Sequence, residues 1–120
     1  IEINPQYEQA YYNRGWYKDE IKDYYGAISD FNKAIEINPK KVKAYNNIAF
    51  IKRKNEINDN YGAIFYATKA IEIDPNSANA YLNRGVAKKN LGDMKGACDD
   101  WRKASSLGNE STVKWVRNQC

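Results

Sequence analysis

Between Gly26 and Ile37 the apolar residues Ala27, Phe31, Ala34 and Ile35 fall at i, i+4, i+7 and i+8, with polar residues between them. That spacing lines one face of an α-helix, so Tyr24–Ile37 is expected to be helical. Equivalent helices are read over Asn60–Ile73 and Met94–Leu107, each preceded by another helix: Glu8–Glu20, Val42–Lys54 and Ala78–Leu91. Asn38-Pro39 and Asp74-Pro75 stop two of the second helices, because proline disfavours helical geometry in the residue before it. Gly108 stops the third. Glu110–Asn118 can form one more helix, with Val113 and Val116 three apart and facing the last pair. No strand pattern interrupts this order. No apolar run approaches the roughly 20 residues of a membrane span, and the mean hydropathy of −0.84 agrees.

The helical pairs repeat. Ile-Glu-Ile-Asn-Pro occurs at Ile1–Pro5 and Ile35–Pro39, and Ile-Glu-Ile-Asp-Pro at Ile71–Pro75, so the prolines are spaced by 34 and 36 residues. Two further markers keep the same register: Ala10–Gly15, Ala44–Ala49 and Ala80–Gly85, then Gly26-Ala27, Gly62-Ala63 and Gly96-Ala97. The two extra residues of the second unit fall in its inner turn, Asn55–Asp59, where they leave helix packing undisturbed. Gly15, Ala49 and Gly85 are expected to face Ala27, Ala63 and Ala97, letting the two backbones of each pair approach closely. Gly26, Gly62 and Gly96 each give up about 1 kcal/mol of helix propensity. Their recurrence implies a packing reason that the sequence does not identify.

Gly15, Ala27, Phe31, Ala34 and Pro39 in the first unit resemble the tetratricopeptide repeat pattern. So do Ala49, Ala63, Ala67, Ala70 and Pro75 in the second, with Ala67 in place of an aromatic, and Gly85, Ala97, Trp101 and Ala104 in the third. The flavour of Tyr-Asn-Arg-Gly is similar to bacterial arrays. The resemblance implies an all-α, right-handed superhelical solenoid of antiparallel helix pairs, about three repeats plus a C-terminal capping helix. On that basis residues 1–5 end a preceding repeat, 6–41, 42–77 and 78–109 are the three repeats, and 110–120 form the cap. The chain is accordingly expected to be a piece of a longer array, with any targeting segment upstream.

The resemblance also implies a concave groove lined by the first helices. Its positions fall on Gln9, Tyr12, Asn13, Trp16, Asp19 and Glu20, on Lys43, Asn46, Asn47, Phe50, Arg53 and Lys54, and on Asn79, Leu82, Asn83, Val86, Lys89 and Asn90. Asn13, Asn47 and Asn83 share one register position. An amide offers both donor and acceptor, so these three could form a ladder along the backbone of an extended peptide. They would equally suit a solvated helix face. Trp16 and Phe50 are candidate apolar anchors beside the ladder, or packing residues between neighbouring first helices. The carboxylate clamp of chaperone-binding relatives is mostly absent: Tyr12, Trp16, Asn79 and Asn83 replace its residues, and only Asn47 agrees.

Charge adds a direction. The chain carries a net +4, yet Lys40, Lys41, Lys43, Lys52, Arg53 and Lys54 lie in a stretch that holds no acid. If Lys43, Arg53 and Lys54 face the groove, its middle prefers acidic segments; otherwise they are a solvated surface. Arg14 and Arg84 are read as structural, and Tyr11, Tyr45 and Tyr81 as core residues with a wet hydroxyl edge. There is no His, no nucleophile beside a base and no phosphate-binding Gly loop, which argues against an enzyme and against any cofactor. The two cysteines are read separately: Cys98, where the other units carry Ile28 and Ile64, as a small buried apolar residue, and Cys120 as terminal and without a partner.

These readings lead to a non-enzymatic, cytoplasmic module binding a protein or peptide in its groove, through Tyr12, Asn13, Trp16, Lys43, Asn46, Asn47, Phe50, Arg53, Lys54, Asn79, Asn83 and Lys89. Self-association is the alternative, through repeat ends such as the apolar face of Ile1 and Ile3. Single-stranded nucleic acid is disfavoured, because +4 is weak for that role and Asp19 and Glu20 share the groove.

Overall fold

The computed structural model describes residues 4–120. Among them are seven helices and no strand: α1 (Pro5–Glu20), α2 (Tyr24–Ile37), α3 (Val42–Lys52), α4 (Asn60–Ile73), α5 (Ala78–Asn90), α6 (Met94–Ser106) and α7 (Glu110–Gln119). α1 packs on α2, α3 on α4 and α5 on α6; the pairs stack through α2 on α3 and α4 on α5, and α7 lies against α6. The result is an elongated helical-repeat solenoid of 47 × 28 × 21 Å. Ala27, Phe31, Ala44, Ile48 and Ile51 form a fully buried cluster between the first two pairs.

Two helix limits depart from the sequence reading by more than one residue. α1 begins at Pro5 and not Glu8, because the Asn4 side chain accepts from the Gln6 amide at 2.9 Å and caps it. Pro5 is thus the first residue of α1 and Asn4 its cap; residues 1–3, including Ile1 and Ile3, lie outside the described residues. α3 stops at Lys52, two residues early, where the longer turn of the second unit begins. That turn is closed by the same bond as the others: Asp59 N–H reaches the Lys52 carbonyl at 2.7 Å, as Asp23 reaches Lys18 and Asp93 reaches Lys88, each at 2.8 Å. The insertion is absorbed inside one conserved closure.

The recurring glycines now have their reason. Asp23, Asp59 and Asp93 cap the second helices, each accepting from the amide of Gly26, Gly62 or Gly96. A Cβ on any of these glycines would overlap that capping carboxylate. Gly15 and Gly85 serve close packing: a Cβ would meet the Phe31 ring at 2.9 Å or Trp101 Nε1 at 2.5 Å, and the carbonyls of Ala27 or Ala97 at 3.2 Å.

The C-terminal helix corrects three expectations. Cys98 and Cys120 are joined by a disulfide, with Cα atoms 5.9 Å apart, so Cys98 is no mere apolar filler and Cys120 has a partner. The helix also turns a different face inward. Val113 is 42% exposed, whereas Thr112 is fully buried and Trp115 meets Trp101 edge-on at 5.2 Å. Thr112, Trp115 and Val116 lie on the stripe that meets α6, with Thr112 accepting from Ser105 at 2.9 Å, and Cys120 falls on the same side.

Candidate functional site: the groove between the first helices and the capping helix

α1, α3 and α5 lie side by side, with α3 touching α5, and α7 closes their far end. A cavity of about 420 Å³ opens between them, walled by Trp16 and Asp19 from α1, Asn46, Asn47, Phe50 and Arg53 from the α3 region, Asn79, Leu82 and Asn83 from α5, and Ser111 and Trp115 from α7. A second hollow of about 330 Å³ continues past Arg53 and Trp115 to Val86, Lys89 and Gln119. Trp16 and Phe50 are exposed, at 53% and 39%, so they present apolar surface to the groove.

Asn13, Asn47 and Asn83 do not form three equivalent open amides. Asn13 is exposed and accepts from Gln9 at 2.8 Å. Asn47 donates to the Tyr12 hydroxyl at 2.9 Å and lines the groove. Asn83 is only 4% exposed; it accepts from Arg53 Nε at 2.9 Å and donates to the Asn46 carbonyl at 3.3 Å. The step between units buries the third amide, so Asn83 holds Arg53 in place.

The other expected groove residues divide as clearly. Lys43 is exposed and lines neither hollow. Lys54 lies over the Phe50 ring at 4.4 Å and over Tyr24 at 5.4 Å. Tyr12 packs against Phe31 and under Lys41. Asn46 donates to Ser77 Oγ at 3.0 Å, while its own oxygen is buried without a hydrogen-bond partner. Lys89 donates to Gln119 on α7 at 2.7 Å, which draws it toward the capping helix. Sequence reasoning missed Ser111, Trp115 and Gln119 altogether. The helical stripe through Thr112, Trp115 and Gln119 was the available signal for them.

Arg53 stands out electrostatically. It is half-buried, lies over Phe50 at 4.6 Å and has no carboxylate within ion-pair distance among the described residues. Burial draws its guanidinium below the usual arginine range, but at neutral pH it remains a cation. Across the cavity, burial raises the Asp19 carboxyl, partly offset by Lys54. By contrast, Arg14 and Arg84 are structural, as expected: each forks onto a buried aspartate of the facing helix, Asp30 at 2.7 Å or Asp100 at 2.8–2.9 Å.

Two tetratricopeptide repeat family models match, over residues 8–41 and 66–99. No curated protein matches the chain. Among solved structures, the TPR domain of Arabidopsis OM64 superposes with a TM-score of 0.86 at 27% identity, covering 96% of this chain and 98% of that one. The first TPR of Spaghetti (RPAP3), bound to the HSP90 peptide SRMEEVD, gives 0.88 at 19% identity, with 98% and 93% covered. The N-terminal domain of stress-induced protein-1 from C. elegans gives 0.80 at 24%, with 92% and 91% covered. Helical pairs, register and family models agree, and the chain belongs to the tetratricopeptide repeat family.

Proposed function

We propose that this chain is a binding module that holds an extended acidic peptide segment in the groove between α1, α3, α5 and α7. The observation that carries the reading is Arg53: a half-buried guanidinium without a carboxylate partner, set between Phe50 and the Trp115 wall of a 420 Å³ hollow. A carboxylate there would gain a charge-assisted hydrogen bond in a partly desolvated site. Trp16, Phe50, Leu82 and Trp115 supply apolar area beside it, and Asn47 offers an acceptor to the ligand backbone. A structural neighbour holds the acidic peptide SRMEEVD, which supports the ligand class. Because Tyr12, Trp16, Asn79 and Asn83 stand where a carboxylate clamp would lie, the terminal carboxylate is not the group read here. Arg53 reads a side-chain carboxylate instead.

Titration of the SRMEEVD peptide and its C-terminal amide, followed by tryptophan fluorescence, tests this. The two should bind alike, and Arg53→Gln should weaken both roughly tenfold. Absence of binding, or affinities indifferent to Arg53→Gln in a folded variant, would overturn the reading.

Self-association through repeat ends is the weaker reading. Ala10 is exposed where the equivalent Ala44 and Ala80 are fully buried, so the α1 face is open. At the opposite end of the described residues α7 packs on α6 and covers part of the last pair.

A further inference from the structure

We propose that the Cys98–Cys120 disulfide is a redox latch that holds α7 as the far wall of the groove. The inference rests on the groove reading for its effect on ligands, but its effect on α7 stands independently. α7 has only ten residues, too short to be a stable helix without tertiary anchors. Its two ends are anchored differently. The N-terminal end follows α6 through a tight turn; Asn109 caps it by accepting from Thr112 N–H at 2.9 Å, and buried Thr112 accepts from Ser105 Oγ at 2.9 Å. Beyond Trp115 the side chains of Arg117, Asn118, Gln119 and Cys120 are exposed. There the ties are half-buried Val116, the exposed Lys89–Gln119 hydrogen bond and the disulfide. Trp115 sits between the two halves and lines both hollows. Releasing the crosslink therefore loosens the half of α7 that positions Trp115 and Gln119 in the groove.

The sulfurs are arranged for such a switch. Cys98 is 7% exposed, on the face where the other units carry Ile28 and Ile64, while Cys120 is exposed at the chain end. A thiolate of a small-molecule thiol can reach the Cys120 sulfur, forming a mixed disulfide and releasing Cys98 as a thiolate that takes up a proton. A second thiol then attacks the small molecule's sulfur and frees Cys120. In balance, one protein disulfide and two thiols become two cysteine thiols and one small-molecule disulfide. An oxidising compartment keeps the wall in place; a glutathione-rich one releases it.

The test is amide exchange on the whole chain with and without dithiothreitol, paired with titration of the SRMEEVD peptide. Reduction should speed exchange from Trp115 to Gln119 by about tenfold or more while α1–α5 keep their protection. Cys120→Ser should show the fast exchange without reductant and no further response to it. Peptide affinity should fall about fivefold on reduction, and Trp115→Ala should abolish that dependence. Unchanged exchange in α7 would overturn the latch. Faster exchange with unaltered affinity would overturn its link to the groove. An oxidised chain that binds no peptide, but whose α7 still responds, would remove the groove reading and leave the latch on α7 standing.

Discussion

Asp100 is nearly buried yet charged, held by Arg84 at 2.8 and 2.9 Å and by Lys88 at 3.0 Å. Unit one repeats this with Asp30, Arg14 and Lys18, whereas unit two puts Ile48 and Tyr66 at the corresponding positions and stacks Lys52 on the tyrosine. The fold thus accepts either an ion pair or an Ile–Tyr pair at one place. Asp100→Ala should cost roughly 3 kcal/mol in chemical denaturation, because it strands Arg84 beside a cavity. The double change Arg84→Ile with Asp100→Tyr should fall within about 1 kcal/mol of the parent. Gly85→Ala should cost about 2 kcal/mol despite better helix propensity, since its Cβ would press on Trp101. Acid acts on the same class of residues. The carboxyls of Asp30, Asp59 and Glu8 are held below their usual range, first by hydrogen bonds from Arg14, Lys52 and Lys41 respectively. Their stabilisation is complete above the unfolded value near pH 4 and is lost as pH falls through the depressed folded values, so denaturation midpoints should drop steeply below about pH 4. These pairings were only partly legible. Arg14 and Arg84 announced themselves by register, but the aspartates answering them sit one helix away.

The turns between paired helices show what local sequence does specify. Lys22, Asn58 and Gly92 occupy the same place, immediately before the aspartate that caps the second helix, all with positive φ of 65°, 54° and 88°. Only unit three uses the residue that reaches this conformation without a Cβ penalty. Lys22→Gly should therefore raise the free energy of unfolding by about 1 kcal/mol without altering the fold, measured by urea titration. Register and turn chemistry were readable because they depend on neighbours a few positions away. The inward face of α7 was not. Val113 and Val116 looked like its apolar seam, but Val113 is exposed and Thr112 and Trp115 meet α6 beside Val116. Hydrophobic spacing on a ten-residue helix is too short a signal to fix which side packs.

At the scale of the whole molecule the disulfide spans 22 residues and joins the cap to the last repeat. The groove belongs to this scale as well. It takes Trp16, Phe50, Leu82 and Trp115 from four different helices and sets one unpaired guanidinium among them. Ligand affinity should accordingly decline as salt rises, because the attraction is between charges that solvent ions can reach.

The sequence by itself determined the repeat and the helix order, since recurring spacings of small, aromatic and proline residues act over one or two turns of chain. It also marked the first helices as the groove side. Tertiary structure decided which groove residues are free. Stacking buried Asn83 and used it to hold Arg53, turned Lys43 away, drew Lys89 to Gln119 and brought Trp115 in from the cap. It also paired two cysteines that lie 22 residues apart. Such outcomes depend on the rotation between neighbouring units and on the packing angle of the last helix, and these are set by contacts between distant side chains.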